Sequence, residues 1–338
     1  MLNKAVIDLN VLRQNALAVK AKLKKGVKFN AVVKANAYGH GAEKVASALY
    51  SIVDGFCVAL VEEGINLRIS GIDKQILVLT PVFKQDLRRA VYYNLTLTVE
   101  SVEQVLFLEQ ECERQNRRAS VHVKFNSGMN RFGVSTLKEL KCVLDTIKSS
   151  KHVVLDGFFT HLACPQNKKE TKSAQNKFLL ANNLVKGYNN KVISHISASG
   201  GFLSGVESDM VRIGILLYGY KPFESETIMV KPVMRIFAPV IKKVNLTRGE
   251  SALYGNCCAQ SDVELSHVRY GYADGLMRAP CVNQFNNRCM DMTSVMDTGL
   301  SKWVCVMDDA EKIARNYGTI SYEILTKSAV RAEKIYLN

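Results

Sequence analysis

The sequence of 338 residues lacks several features that mark whole classes of protein. No uninterrupted apolar stretch approaches the ~18 residues that a membrane-spanning helix needs. The N-terminal segment MLNKAVIDLN lacks the apolar core of a secretory signal peptide. We therefore expect a cytoplasmic protein with no membrane-embedded part.

Cysteine is present but forms no recognisable motif. No Cys-x-x-Cys pair occurs, so neither a zinc ribbon nor a thioredoxin-like site is predicted, and we expect no bound metal. Without a signal peptide, reduced and buried thiols are expected. The nine cysteines are Cys57, Cys112, Cys142, Cys164, Cys257, Cys258, Cys281, Cys289 and Cys305.

Acidic residues are outnumbered, with 31 Asp and Glu against 45 Lys and Arg and a net charge of +14. Such a surplus is compatible with a nucleic acid, an acidic membrane surface or an anionic ligand. No homeodomain, zinc-finger or RNA-recognition signature accompanies it, so nucleic acid is not an expected partner. A lysine-rich solvated surface is the simplest interpretation.

Glycine-rich nucleotide-binding signatures are also missing. Gly39 and Gly41 begin a G-x-G-x-x-G pattern, but Lys44 stands where the third glycine would be. No G-x-x-x-x-G-K-[ST] sequence occurs either. A dinucleotide fingerprint and a P-loop are therefore excluded.

What the sequence does contain is an alternation of strand-like and helix-like segments. Eight short β-branched or apolar segments are predicted as strands, at 29–33, 55–60, 75–80, 95–99, 119–125, 153–159, 191–197 and 210–215. Amphipathic segments lie between them, at 41–52, 61–70, 83–93, 101–118, 135–150 and 171–186. This order favours a (β/α)8 barrel of the TIM type, and an open doubly wound sheet is the alternative.

The pattern changes after about residue 225, where strand-rich segments follow without helical interleaving. Examples are 228–246, 266–275 and SYEILTKSAV (321–330), and Pro222, Pro232 and Pro239 mark the junction. We therefore predict an α/β protein of two domains. Residues 1–225 form the N-terminal barrel, and residues 226–338 form a C-terminal, mainly β domain.

Titratable residues and glycines follow the predicted barrel strands, at the end where barrel enzymes carry their chemistry. Lys34 ends the first strand, and a lysine beside a buried apolar strand is costly unless it is paired or neutral. Schiff-base chemistry needs a neutral amine. A lysine that extends to solvent is the alternative.

A phosphate site is predicted beside the last two strands. The segment ISASGG (196–201) and Gly214 place hydroxyls and backbone amides where such barrels hold phosphate, although a plain tight turn is the alternative. A Schiff-base lysine with a phosphate site indicates pyridoxal 5′-phosphate (PLP), or an aldolase acting on a sugar phosphate. Arg212 cannot protonate a pyridine nitrogen, which suits proton exchange at Cα, unless it is only a structural cation.

AVVKANAYGHG (31–41) closely resembles the PLP-lysine motif of alanine racemases. Further motifs follow in the family's order and cover essentially the whole chain: KFNSGMNRFG (124–133), FTHLA (159–163), SHISASG (194–200), VRIGILLYG (211–219), ALYGN (252–256), RYGYADG (269–275) and NRCMDMTSVMD (287–297). The resemblance implies interconversion of L- and D-alanine by two-base Cα proton exchange on a PLP aldimine, supplying D-alanine for peptidoglycan. It also implies a homodimer with shared active sites and alanine as the small-molecule substrate.

The resemblance also implies roles for individual residues. Lys34 is the PLP lysine and one base, and Tyr254 is the opposite base, which reaches the partner subunit's site. Cofactor contacts are implied for Lys34, Tyr38, His161, Ser199, Arg212, Gly214 and Ile215. Substrate contacts are implied for Arg131, Met290 and Tyr272, with support from Lys124 (often carbamylated in the family), His195 and Asp291.

Four positions depart from the family's pattern: Asn126, Ser127, Ala198 and Val330. They bear on PLP retention and on the surroundings of Lys124. The alternatives are a basic-amino-acid decarboxylase, a broad-specificity racemase, a PLP-homeostasis protein consisting of a barrel alone, and a catalytically impaired racemase-like protein. Arg212 disfavours the decarboxylase, and the C-terminal domain with Tyr254 disfavours the barrel alone.

Overall fold

A computed structural model describes residues 2–254, 258–275, 277–278, 288–296, 299 and 301–338. The chain divides into two compact units. The barrel unit comprises Arg13–Ala37 and Ala42–Val230. The strand-rich unit comprises the described residues of Met1–Leu12, Tyr38–Gly41 and Lys231–Asn338.

The barrel unit contains one eight-stranded parallel sheet, and all eight predicted strands are confirmed. Its order is β8-β7-β6-β5-β4-β3-β2-β9. Its ends are joined by an Ala198–Arg212 bridge and by a hydrogen bond of 3.0 Å from the Arg212 amide to the Ser197 carbonyl. The strands are β2 (Lys28–Val32), β3 (Gly55–Val58), β4 (Gln75–Pro81), β5 (Thr96–Val99), β6 (Ala119–Lys124), β7 (Val153–Phe159), β8 (Ile193–His195) and β9 (Met210–Ile213).

Helices follow the barrel strands at all six predicted amphipathic segments. The Ser101 side chain caps the helix Val102–Gln115 by accepting a bond of 3.2 Å from the Gln104 amide, as its position predicts. The helical elements of the barrel and its entry are α1 (Leu9–Lys22), α2 (Lys34–Tyr38), α3 (Ala42–Leu49), α4 (Val61–Ile69), α5 (Lys84–Tyr92), α6 (Val102–Gln115), α7 (Leu137–Ser149), α8 (Lys168–Tyr188) and α9 (Ser199–Leu203).

The strand-rich unit is built on a mostly antiparallel sheet in the order β12-β11-β10-β1-β14, with β13 paired to β10. Its N-terminal strand pairs with two strands from the far end of the chain. The strands are β1 (Asn3–Asp8), β10 (Met234–Leu246), β11 (Val263–Val268), β12 (Thr293–Met296), β13 (Trp303–Met307) and β14 (Ala332–Leu337). Two helices, α10 (Ala310–Asn316) and α11 (Ser321–Ser328), and a 3₁₀ turn (Tyr272–Asp274) complete it.

Two predictions are wrong in detail. The segment SYEILTKSAV contains helix α11 rather than a strand, because Ser321, Ile324, Leu325 and Ser328 form one buried helical face. The thiols are free, but only Cys57 and Cys112 of the seven described cysteines are buried. Cys257 and Cys281 lie outside the described residues. Among the helices described, none combines the length and apolarity needed to cross a bilayer.

Candidate active site

The barrel register places three functional side chains in one row across neighbouring strands. Lys124 on β6 pairs with Phe159 on β7, and Phe159 pairs with His195 on β8. The Lys124 Nζ atom lies 4.5 Å from the centroid of the Phe159 ring. Burial, with the charges of Arg212 and Arg131, lowers the pKa of Lys124 to about 7. This lysine is therefore partly neutral at physiological pH.

Arg212 on β9 is held by groups that carry no charge. Its Nη1 atom donates to His195 Nδ1 at 2.6 Å and to the His195 carbonyl at 3.1 Å, and Nη2 donates to the Thr160 carbonyl at 2.8 Å. Burial lowers its pKa to about 10, which still leaves it protonated at neutral pH. No carboxylate pairs with it among the residues that the structure describes. Its positive charge is therefore available to a bound group.

Lys34 follows β2 at the rim of the barrel, where it is half-buried. Burial is the main cause of its lowered pKa, and the charge of Arg131 adds to the effect. The Glu63 carboxylate acts in the opposite direction, and its Oε1 atom accepts a bond of 2.6 Å from the Ala35 amide. The site thus shifts Lys34, relative to an exposed lysine, toward the neutral amine that attacks a carbonyl carbon.

The residues after Lys34 form a left-handed turn. Ala35, Asn36, Ala37 and Tyr38 have φ values of 51°, 53°, 53° and 51°. This conformation costs a non-glycine residue roughly 1–2 kcal/mol. The Asn36 side chain holds the turn by accepting a bond of 2.8 Å from the Ala42 amide. Such strain at a rim of this kind is typical of a functional site.

His161 lies two residues beyond the end of β7, within the electrostatic field of four cations. Burial is the first cause of a pKa well below its usual range, followed by the charges of Arg212, Lys124, Arg131 and Lys34. The same charge interactions group these five side chains at the carboxyl end of the barrel. His161 is therefore neutral and can act as a hydrogen-bond donor or acceptor at this site.

Ser199 and Gly214 meet at the ends of the last two barrel strands. The Gly214 amide donates to Ser199 Oγ at 3.1 Å, which leaves the hydroxyl proton to donate to a ligand. Ile215, next in the chain, is buried. Gly200 allows the loop to pack, because a Cβ there would lie 2.4 Å from Pro165. This hydroxyl and amide are the donor types that hold a phosphate group.

The strand-rich unit brings together two of the three residues predicted to contact substrate, Met290 and Tyr272. The Tyr272 amide donates to the Cys289 carbonyl at 3.1 Å, and the Ala273 amide donates to the Met290 carbonyl at 2.9 Å. The packing requires glycine at position 271, where a Cβ would lie 2.2 Å from the Met290 carbonyl oxygen. Met290 and Tyr272 thus lie on two adjoining turns.

Tyr254 and Tyr38 are two other predicted site residues that belong to the strand-rich unit. Tyr254 is 71% exposed. Tyr38 is buried, and its ring centroid lies 5.8 Å from that of Tyr322.

Arg331 connects the turns that carry Tyr272 and Met290, and it was not singled out from the sequence. Its Nη1 atom lies 2.8 Å from Asp291 Oδ1, and its Nε atom lies 3.7 Å from the buried Asp274. Asp274 in turn accepts a bond of 2.9 Å from the Gly271 amide. One guanidinium therefore links the turn that carries Tyr272 to the turn that carries Met290.

The structure shows the surroundings of the four positions that depart from the family's pattern. Asn126 Oδ1 accepts bonds of 3.1 and 3.0 Å from the amides of Gly128 and Asn130. Ser127 Oγ lies 2.8 Å from Thr160 Oγ1. Ala198 forms the closing bridge with Arg212, and Val330 is 71% exposed.

Sequence reasoning missed Phe159 and His122. Phe159 contacts Lys124, Arg212 and His195 with its ring. His122 stands two residues before Lys124 on one strand, and alternation along a strand puts both side chains on the same face. That spacing was the available signal. In the described part of the chain, no three His, Cys, Asp or Glu side chains are grouped to hold a metal ion.

Comparisons with known proteins agree with this geometry. The family described as "Alanine racemase, N-terminal domain" matches residues 7–222, and "Alanine racemase, C-terminal domain" matches residues 233–336. The alanine racemase of Treponema denticola is 30% identical over 99% of this chain and 98% of its own length. That of Streptococcus uberis is 32% identical over 99% and 97%. The solved structure of the Clostridium difficile alanine racemase superposes with a TM-score of 0.92 at 28% identity, covering 100% of this chain and 96% of that one.

Proposed function

The chain belongs to the alanine racemase family, and from that premise we propose that Lys34 and Tyr254 exchange the Cα proton of alanine with PLP as the cofactor. Family membership makes the chain an isomerase that interconverts L- and D-alanine. The family's known role is to supply D-alanine for peptidoglycan. The observation that carries the proposal is that two residues occur together at the carboxyl end of the barrel. One is Lys34, whose pKa is lowered by burial, and the other is Arg212, which no described carboxylate neutralises.

The residues at the barrel rim fit PLP. The Ser199 hydroxyl can donate to the phosphate while the Gly214 amide holds its oxygen. Tyr38, Gly214 and Ile215 are assigned to the same group from the family resemblance. The Arg212 guanidinium suits an unprotonated pyridine nitrogen, because arginine donates a hydrogen bond without giving up its proton. When bound, PLP supplies an electrophilic carbon for the substrate amine and withdraws electrons from Cα.

The side chains then carry out acid and base chemistry on the two faces of the substrate. The Lys34 amine takes or returns the Cα proton on one face, and the Tyr254 hydroxyl does so on the other. The Tyr254 anion that accepts a proton needs stabilisation by positive charge, and we assign His161 as its link to Arg212.

Arg131 would hold the PLP phenolic oxygen and contact the substrate, the Met290 amide is assigned to the substrate carboxylate, and Tyr272 narrows the approach. Lys124 is assigned to support Arg131, with His195 supporting Arg212 and Asp291 supporting the Met290 turn. A pKa of about 7 makes the Lys124 amine nucleophilic enough to add CO2, which forms a carbamate and releases one proton. That carbamate would turn an uncompensated cation into an anionic partner for Arg131.

We further propose that the enzyme works as a cytoplasmic homodimer in which Tyr254 serves the partner subunit's site. The accessibility of the Tyr254 side chain supports this assignment. Specific activity should then fall on dilution, as dimers dissociate into inactive monomers.

The experiment that tests the function is a D-amino-acid oxidase assay on purified, PLP-loaded protein given L-alanine, L-serine or L-lysine. We expect D-alanine from L-alanine, and no product from the Lys34→Ala variant. Racemisation of lysine without alanine would overturn the alanine assignment, and racemisation of all three amino acids would indicate a broad-specificity racemase. Loss of CO2 from a basic amino acid would indicate a decarboxylase.

A further inference from the structure

We propose that His122 is a positioning residue that orients Arg212 through His195. His122 lies on β6, is completely buried, and carries no role in the site assigned so far. Its Nδ1 atom lies 2.8 Å from His195 Nε2, and the two ring centroids are 4.9 Å apart. The inference rests on the proposed function, because Arg212 is the residue assigned to the cofactor's ring nitrogen.

The proton positions in this chain of side chains follow from one fixed donor. Arginine has only donors, so His195 Nδ1 must accept the bond of 2.6 Å from Arg212 Nη1. A neutral His195 then carries its proton on Nε2 and donates it to His122 Nδ1. His122 must therefore carry its own proton on Nε2. The hydrogen bonds run in one direction, from Arg212 through His195 to His122.

Both imidazoles are neutral in this arrangement. Burial is the main reason that the pKa of His122 falls to about 3, and the charge of Arg212 contributes further. Burial and the same charge also lower the pKa of His195 well below its ordinary value. A carboxylate at either position would neutralise Arg212, whereas two neutral rings orient the guanidinium and leave its charge uncompensated.

The protein keeps His122 at an energetic cost. Its Nε2 atom is buried and has no hydrogen-bond partner among the described residues. Buried polar atoms without partners are uncommon, and an apolar side chain of similar size would avoid the penalty. The lack of a partner for Nε2 is explained if His122 is needed for its other ring nitrogen, Nδ1, which accepts the hydrogen bond from His195.

The neighbouring strand leaves room for this ring. Gly157 on β7 pairs with His122 in the barrel register. A Cβ at position 157 would lie 2.3 Å from His122 Nδ1, closer than real contacts allow. Glycine at position 157 therefore lets the His122 acceptor atom reach His195.

The test compares His122→Leu with His122→Asn, whose amide oxygen stands near the position of Nδ1 and restores an acceptor. Val123→Ala is the matched control, because Val123 is buried on the same strand but faces the other side. We expect His122→Leu to lose about 10–100-fold in kcat, the range for outer partners that orient an imidazole, with little change in KM. His122→Asn should recover most of the loss, and Val123→Ala should keep kcat within about twofold.

A second readout is independent of catalysis. Nitrogen-15 NMR of ring-labelled histidine in the PLP-loaded wild-type protein should show His195 protonated on Nε2 alone, and His122→Leu should change the His195 signals. An Nδ1-protonated His195, or a His122→Leu variant with wild-type kcat, would overturn the proposal. If wild-type protein produces no D-alanine, the proposed function fails instead, and the tautomer measurement still decides the role of His122.

Discussion

The His195 imidazole lies flat on the Phe159 phenyl ring, with ring centroids 4.8 Å apart and planes inclined by 2°. The same phenyl ring contacts the Lys124 Nζ atom, 4.5 Å from its centroid, and the Arg212 guanidinium, whose Cζ atom lies 5.3 Å from it. A ring face attracts cations by about 0.5–2 kcal/mol each. Phe159 therefore holds three site residues in fixed relative positions without adding charge.

Replacement of Phe159 by leucine should lower kcat by about tenfold, since side chains that orient catalytic groups have effects of that order. The control is Phe158→Leu. Phe158 is the adjacent buried ring, and it stacks on Phe178 at 5.0 Å instead. Both variants should lose comparable stability in thermal melts, but only Phe159→Leu should lose activity and change the absorbance of bound PLP. Equal activity losses would contradict the positioning role.

Lys124 should make stability depend on pH in a defined direction. Its folded pKa of about 7 lies below the unfolded value of 10.5, so the unfolded chain binds more protons between these values. The free energy of unfolding should therefore rise with pH across this window, by at most about 1.4 kcal/mol per pH unit. Denaturant melts of PLP-free protein at pH 7 and pH 10 should show Lys124→Met relatively more stable at pH 7. A difference that is independent of pH would contradict the lowered pKa.

A glycine substitution in the left-handed turn after Lys34 should stabilise the protein, whereas one in a helix should destabilise it. Ala35→Gly removes roughly 1–2 kcal/mol of steric cost and adds a smaller entropic cost, so we expect a gain of about 0.5–1 kcal/mol. Ala48→Gly in α3 is the control, and it should lose about 0.5–1 kcal/mol. Urea melts measure the free energy of unfolding of both variants. Destabilisation of similar size in the two variants would show that Ala35 is not strained.

Arg331 should matter for substrate binding more than for turnover. Arg331→Gln removes the link between Asp274 and Asp291, and we expect the KM for alanine to rise about three- to tenfold, equivalent to about 0.7–1.4 kcal/mol. Arg315→Gln is the control, because Arg315 forms an exposed ion pair with Glu311 on α10. Steady-state kinetics measure KM and kcat separately. An unchanged KM in Arg331→Gln would contradict the role of the link.

The barrel strands could be predicted because each gives a local pattern in the sequence. Strands buried on both faces read as short continuous apolar segments, and all eight were found in this way. Strand β1 was not recognised, because its partners β10 and β14 lie more than 200 residues away along the chain. Local periodicity carries no information about such pairing. Helix α11 was misread because its aromatic and β-branched residues resemble a strand, although its buried positions have helical spacing.

The candidate site was predictable by residue type at the strand ends and by family motif, but its supporting contacts were not. Lys34 was marked by its position after an apolar strand, and Arg212 by its position within one. His122 and Phe159 have ordinary strand positions, and their importance appears only through the register that places them beside His195. The strained turn also escaped prediction, because alanine rarely adopts a positive φ and nothing in ANAY indicates it.

The most direct test of the two-base account is deuterium exchange at Cα in the Tyr254→Phe variant. PLP-loaded variant protein is incubated in D2O with pure L-alanine or pure D-alanine, and proton NMR follows loss of the Cα signal. The account predicts rapid exchange from one enantiomer only, with PLP still bound and racemisation abolished. Exchange from both enantiomers, with racemisation at the wild-type rate, would contradict the assignment of Tyr254 and Lys34 as opposing bases.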